Sequence, residues 1–238
     1  LIVASVTSDT VDDAPTSAVT LSEAESRRLL ADHGVPVSPF VTGTSADEAI
    51  AAMAGGDVDF PLAVKLSGAS ITHKTERGLL RLGVADEPAL RRACEELLAA
   101  ATEADKPVEL LVSSMLEGSR ELIAGVTRDP RFGLVLMLGI GGILAEGIGD
   151  VSFRLIPITP VDAEEMIDDL TNQNLLGPMR GEPAVDRDAL VKTLMALART
   201  AMETPGVVGI DVNPLVVVSG QPTAVDALVE LETAEPTP

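Results

Sequence analysis

The stretch from Gly209 to Asp226 constrains this chain most. It holds two β-rich runs, Gly209-Ile210-Asp211-Val212-Asn213-Pro214-Leu215-Val216-Val217-Val218 and Thr223-Ala224-Val225-Asp226-Ala227, joined by Ser219-Gly220-Gln221-Pro222. Two such runs about a four-residue turn signal predict a hairpin. Side chains alternate along a strand, so Asp211 and Asn213 share one face while Ile210 and Val212 take the other. Folding back about the turn brings Asp226 opposite the segment from Asn213 to Leu215. Hard oxygen donors then gather on an otherwise apolar ribbon, a set that suits Mg²⁺, which takes one or two protein ligands and fills its remaining positions from phosphate and water. The alternative is a hairpin whose polar tips are merely solvated.

Charge narrows the partners. Seventeen basic residues against 37 acidic give a net charge of −20, which repels a nucleic-acid backbone or an anionic membrane. Neither partner is expected. A phosphate ligand on so acidic a chain needs local cations, and the only lysines are Lys65, Lys74, Lys106 and Lys192. With 46% apolar residues but no Trp or Tyr and four Phe, the core must be aliphatic. A single cysteine, Cys94, cannot form an internal disulfide, and its place on an apolar helical stripe predicts inert packing. No apolar run approaches the ~20 residues of a membrane span, and without a signal segment the expected location is the cytoplasm. Residues 1–20 begin at Leu1 and are rich in Ser, Thr and Asp, which predicts a linker or the cut end of a larger protein.

Two of the four lysines frame the next feature. Phe60 to Leu66 reads as a strand ending near Lys65, followed by the polar loop Ser67-Gly68-Ala69-Ser70-Ile71-Thr72-His73-Lys74-Thr75-Glu76-Arg77-Gly78 and a returning strand, Leu79 to Val84. Backbone amides in such a loop can cradle phosphate, with Lys65 as a point charge. The alternative is an exposed loop with a lysine salt bridge. His73 stands in that loop between polar neighbours, where an imidazole can attack a phosphoryl group and carry it covalently; a surface residue of no consequence is the other reading.

Capped amphipathic helices are expected over Leu21 to His33, from Ser45 to Met53, over Asp86 to Ala104, from Thr159-Pro160 to Leu170, and over Asp186 to Met202. His33, at the end of the first, is expected to be structural. Val108 to Met115 reads as a buried strand, Glu117-Gly118 as a turn that sends the chain back through Glu121 to Val126, and Arg128 to Gly133 as a further turn. Gly139-Ile140-Gly141-Gly142 follows a strand, but its spacing misses the dinucleotide fingerprint and no capped helix follows, so that reading is rejected.

Several segments taken in order resemble the ATP-grasp (beta) half of ADP-forming acetyl-CoA synthetases, relatives of succinyl-CoA synthetase. They are Leu21 to Val37 with Gly34 and Pro36; Val64-Lys65-Leu66; His73-Lys74-Thr75-Glu76 with Gly78; Arg128-Asp129-Pro130-Arg131-Phe132-Gly133; Gly141-Gly142-Ile143 with Glu146; Asp150-Val151-Ser152-Phe153-Arg154; and Asp211-Val212-Asn213-Pro214-Leu215. Together they cover residues 21–230. The resemblance implies an α/β ATP-grasp fold with two α+β lobes, residues 21–112 and 113–232, holding ATP or ADP between them, and a tail at 233–238. It implies that Lys65 reaches the phosphates, Ser113 and Met115 line the adenine, Glu121 approaches the ribose or base, and Asn213 with Asp226 holds Mg²⁺ beside Asp211. His73 matches a histidine that relays a phosphoryl group toward a CoA-binding alpha subunit or fused domain, with a small carboxylic acid and CoA as substrates of the assembly.

One departure stands out: after Gly78 the family usually has a second glycine where this chain has Leu79, and Arg77 replaces a small or apolar residue. That departure supports a second expectation, a regulatory module of a fused protein acetyltransferase that senses nucleotide or acyl-CoA without turnover. A third, a different carboxylate ligase on the same fold, would not need His73.

Overall fold

Strand β3 (Leu62–Ser67) is buried at every position. Its Leu-Ala-Val-Lys-Leu-Ser run is nearly continuous in apolar character, the pattern of a strand covered on both faces. In this computed structural model, which describes residues 18–71, 77–118, 120–142, 149–179 and 181–232, the chain divides into two compact units. One comprises Thr20–Ser26 and Ser38–Glu117; the other takes in Arg27–Val37 and Gly118 onward. The boundary expected at 112/113 falls within a strand, β5 (Glu109–Ser114), which belongs to the first unit.

The first unit is built on an antiparallel sheet ordered β2-β5-β3-β4, with β2 at Phe40–Gly43 and β4 at Leu80–Val84. Helices α2 (Ala46–Ala52) and α3 (Glu87–Ala100) start where side chains offer caps: Ser45 Oγ accepts from the Glu48 N–H, and an Asp86 carboxylate oxygen accepts from the Ala89 N–H. Leu90, Cys94 and Leu97 of α3 join Val64, Leu66, Leu110 and Val112 in an aliphatic core. Each fully buried leucine there contributes about 2 kcal/mol. Cys94 is inert packing, as expected: burial pushes its thiol up to about 11.

Helix α1 (Glu23–Asp32) opens with the predicted capping box. The Glu25 N–H donates to Ser22 Oγ at 3.3 Å, and the Ser22 N–H donates to Glu25 Oε2 at 2.9 Å. It closes at Gly34, whose φ of +90° suits the left-handed stop, with the Val35 N–H bonded to Leu30 O and the Gly34 N–H to Ala31 O. His33 sits on that carbonyl end, its Nδ1 2.8 Å from Leu29 O.

The second unit carries a seven-stranded sheet ordered β1-β11-β9-β6-β7-β8, with β10 also paired to β9. The strands are β1 (Ala18–Thr20), β6 (Arg120–Asp129), β7 (Gly133–Ile140), β8 (Val151–Leu155), β9 (Val207–Val218), β10 (Gln221–Ala224) and β11 (Ala227–Glu232). Helices α4 (Pro160–Asp168) and α5 (Arg187–Glu203) bring Met166, Ile167, Leu190, Leu194 and Leu197 to its core.

Three expectations change here. Residues 18–20, assigned to a linker, form β1 beside β11; residues 1–17 and the tail at 233–238 lie outside the described residues. Glu117-Gly118 does not fold β5 back into a hairpin, because β5 and β6 belong to different sheets. A Cβ on Gly118 would stand 2.5 Å from Val217 O, so the chain here runs directly against β9. The hairpin turn is two residues, not four: Ser219 and Gly220 have φ of +49° and +85°, and Gln221 already pairs with Val218. Two positive φ values match the tight turn that follows strand twist. Pro222 is a strand residue on β10, opposite Val217.

Candidate functional site

The C-terminal ribbon forms with the expected alternation. Ile210 and Val212 are buried, Asp211 is half-buried and Asn213 is exposed. Pairs Ala224 with Leu215 and Ala227 with Val212 bracket the irregular corner, so Asp226 falls opposite Asn213. The Val225 N–H holds that corner by donating to Pro214 O at 3.1 Å. Asp211, two residues along the same face, pairs across to Leu228 on one side and Gly125 on the other. Asp211 and Asn213 thus lie along β9, with Asp226 across from Asn213 in the corner between β10 and β11. Their hard-oxygen chemistry fits Mg²⁺ with a small protein share of its coordination shell. Among the described residues no group of three or more His, Cys, Asp or Glu gathers as a metal cage.

Glu121 belongs to the same unit. It is exposed on β6 opposite Val216, one residue from the pair Leu122 with Leu215. Behind it, the glycine run has a packing purpose. A Cβ on Gly141 would lie 3.0 Å from the Glu121 backbone, and the Gly141 N–H donates to Glu121 O at 2.8 Å. Its neighbour Arg120, 4% exposed, is a residue that sequence reasoning missed. Its guanidinium donates to Gly177 O at 2.9 Å, to Pro183 O, and to Glu182 at 3.4 Å, tying Gly177, Glu182 and Pro183 to the start of β6. No local signal marks it, since its partners lie about sixty positions away.

Lys65, Ser113 and Met115 belong to the other unit. Lys65 is 6% exposed, and its Nζ lies 2.7 Å from Oε1 of Glu23, whose side chain is fully buried. Sequence reasoning gave Glu23 no role beyond a helix start. Ser113 pairs opposite Ala63, two positions from Lys65 on β3, and its buried Oγ has no hydrogen-bond partner among the described residues. Met115 is 38% exposed; its N–H donates to Pro61 O, and its Sδ accepts from the Gly83 N–H at 3.0 Å. His73 and Lys74, like Glu146, lie outside the described residues.

The departure at 77 and 79 has a physical reason. Leu79 is 1% exposed and belongs to the aliphatic core, so a glycine there would leave a cavity. Arg77 makes a two-pronged pair with Asp105, at 2.9 and 2.8 Å, and Asp105 also accepts from the Thr102 N–H and hydroxyl. The Arg77 hydrogen bonds, then those from Thr102, hold the Asp105 carboxyl well below the usual carboxylate range. A depressed carboxylate contributes stability that is fully present above its unfolded value, about pH 4, and lost as pH falls through the folded one. Asp105→Asn is therefore expected to lower the melting temperature at pH 7. The gap from the parent protein should close as pH drops below about 4; a gap that persisted undiminished at the acid end would refute the linkage.

Residues 15–231 match the ATP-grasp domain family. That defines the class: a chain of the nucleotide-binding ATP-grasp fold. The chain is 33% identical over 210 residues to the beta subunit of acetate–CoA ligase (ADP-forming) I of Pyrococcus furiosus, covering 87% of this chain and 90% of that one. It is 34% identical over 209 residues to acetate–CoA ligase (ADP-forming) I of Archaeoglobus fulgidus, where it covers 85% of its own length but 30% of the relative. A solved acetyl-coenzyme A synthetase 1 of Ca. Korarchaeum cryptofilum, in complex with coenzyme A and Mg-AMPPCP and with its phosphohistidine segment pointing towards the nucleotide binding site, superposes with a TM-score of 0.74 at 30% identity, covering 88% of this chain and 91% of that one. The chain belongs to the ATP-grasp family and, within it, to the beta-subunit line of the ADP-forming acetate–CoA ligases. No described helix is long and apolar enough to cross a membrane.

Proposed function

We propose that this chain is the nucleotide-binding half of an ADP-forming acyl-CoA synthetase, moving a phosphoryl group between ATP or ADP and a histidine that relays it to a CoA-binding half. The reading is carried by the match along 90% of a beta subunit, and the ribbon geometry agrees with it. The net reaction is acyl-CoA + ADP + phosphate ⇌ acid + CoA + ATP. Phosphate displaces CoA to give acyl phosphate; a histidine of the partner half takes the phosphoryl group and releases the acid; His73 takes it from that histidine, and ADP takes it from His73 to give ATP. The steps on the acyl group need the partner, a CoA-binding alpha subunit or a domain of a longer chain; CoA leaves when acyl phosphate forms, and a small carboxylic acid leaves when the phosphoryl group moves on.

Within this half, catalysis is positioning and charge neutralisation. Lys65 supplies the point charge for the phosphates, Ser113 and Met115 meet the adenine, and Glu121 accepts from the ribose or base. Asn213 and Asp226 would hold Mg²⁺, with Asp211 beside them, and the ion would supply charge neutralisation for the phosphoryl group. Titration of Mg·ATP into the purified chain by calorimetry tests the site. Asp226→Asn is expected to raise the Kd by about tenfold or more, the equivalent of one lost charge-assisted contact. A Kd unchanged by that substitution would remove the ribbon from the site.

A further inference from the structure

Arg120 and Glu121 open β6 side by side and, because successive side chains point to opposite faces, meet different surroundings. Glu121 is exposed, whereas Arg120 is buried. This end of the strand has little sheet to hold it. Arg120, Glu121 and Leu122 pair with Val217, Val216 and Leu215 of β9, and the register then slips before Ala124. On the other side the ladder to β7 starts only at Leu122, with one further bond from the Gly141 N–H to Glu121 O. A strand end beyond such an irregularity frays unless something outside the sheet ties it. The Arg120 guanidinium is that tie. Its terminal nitrogens donate to Gly177 O, Pro183 O and Glu182, none of them in the seven-stranded sheet, while its buried Nε has no hydrogen-bond partner among the described residues. The side chain is thus fitted to the place of two carbonyls, with its third nitrogen left unpaired.

We infer that Arg120 is a positioning residue for sugar recognition: without touching the nucleotide, it holds the strand end so that the Glu121 carboxylate meets the ribose hydroxyls. The inference rests on the reading of Glu121 as the acid that accepts from the sugar. A hydroxyl donates to a carboxylate at about 2.7 Å, and a displacement of about 1 Å takes the pair out of bonding range. Recognition therefore depends on where the main chain of Glu121 stands as much as on its charge. Lysine at position 120 keeps the positive charge but replaces a planar fork by a single point donor on a flexible stem, so it cannot hold both carbonyls in the same geometry. Glu121 then remains present and exposed but less sharply placed.

Calorimetric titration with Mg·ATP and with its 2′,3′-dideoxy analogue, which lacks both ribose hydroxyls, reads sugar recognition as a ratio of two Kd values. The parent protein is expected to hold Mg·ATP at least about tenfold more tightly. Glu121→Ala is expected to abolish that preference, and Arg120→Lys to narrow it by at least about threefold with the carboxylate still in place. Adding Arg120→Lys to Glu121→Ala should change the ratio no further, since both act through one contact. Loosening of the fold by itself weakens both nucleotides alike and leaves the ratio unmoved. Each variant is titrated below the melting temperature found for it, and Arg120→Met repeats the comparison with every donor removed. A parent that binds neither nucleotide, binds both equally, or keeps its preference in Glu121→Ala removes Glu121 from the sugar, and the inference falls with that reading. A preference abolished by Glu121→Ala but intact in the folded Arg120 variants leaves the reading of Glu121 standing and overturns the positioning role alone.

Discussion

Replacing His73 by alanine is expected to lower phosphoryl transfer from ATP, in the chain reconstituted with its CoA-binding half, by at least about 10³-fold, while Mg·ATP binding stays within about twofold of the parent value. The split follows from the role. A relay histidine forms a covalent bond to the phosphoryl group, so nothing else in the site can replace its nitrogen, whereas nucleotide binding is proposed to rest on other residues. Incubation with γ-labelled ATP gives a second readout: label retained on the parent protein, acid-labile as a phosphoramidate is, and absent from His73→Ala. Equal rates in parent and variant would leave an ATP-grasp ligase of another kind, one that passes phosphate directly to its acid. Loss of nucleotide binding in the variant would instead place His73 among the binding groups.

Arg120→Met is expected to cost about 3 kcal/mol of stability, equivalent to a fall in melting temperature of about 6 to 12 °C for a chain of this size. Arg120 lies at the head of β6 with its guanidinium against Gly177 O, Pro183 O and Glu182. Methionine fills much of the same volume but donates nothing, so two backbone carbonyls lose the donors that Arg120 supplies and the half-buried Glu182 carboxylate loses its contact with the guanidinium. Arg199→Met on the exposed face of α5 supplies the control and should stay within about 0.5 kcal/mol. A change in Arg120→Met no larger than the control would mean that Gly177, Glu182 and Pro183 hold their place without it.

Local features were legible wherever the signal was local. The Ser22 to Glu25 box, the caps at Ser45, Asp86, Thr159 and Asp186, and the alternation along β9 were all readable because each depends on residues within a turn or a strand of one another. The placing of Asp226 opposite Asn213 was legible for the same reason, since a short hairpin joins them. What remained hidden is long in range. Glu23 looks like an ordinary first-turn acid and meets Lys65 only through tertiary packing; Arg120 and the Arg77 with Asp105 pair are of the same kind. Turn chemistry misled twice: at Glu117-Gly118, which leads from one sheet to the other, and at Pro222, which reads as a turn residue although an edge strand tolerates a proline.

Several segments that carried the family resemblance prove to have structural work. Asp129 accepts from the N–H groups of Arg131 and Phe132 and so shapes the β6 to β7 turn. Burial raises the Asp150 carboxyl, but hydrogen bonds from Thr171 and Asn172 outweigh it and leave its pKa lowered. Arg154 ties β8 to α4 through Asp169 and Glu165. A recognisable motif therefore marks the scaffold of this family as much as its chemistry.

The bare backbone at Gly141 has a further meaning. Because the main chain of Glu121 passes where a methyl group would have to go, the carboxylate expected to read the sugar is set in depth by an atom that is missing from a different strand. Ligand preference in this half can therefore drift without any change in a residue that touches the ligand, through the thickness of what lies behind it.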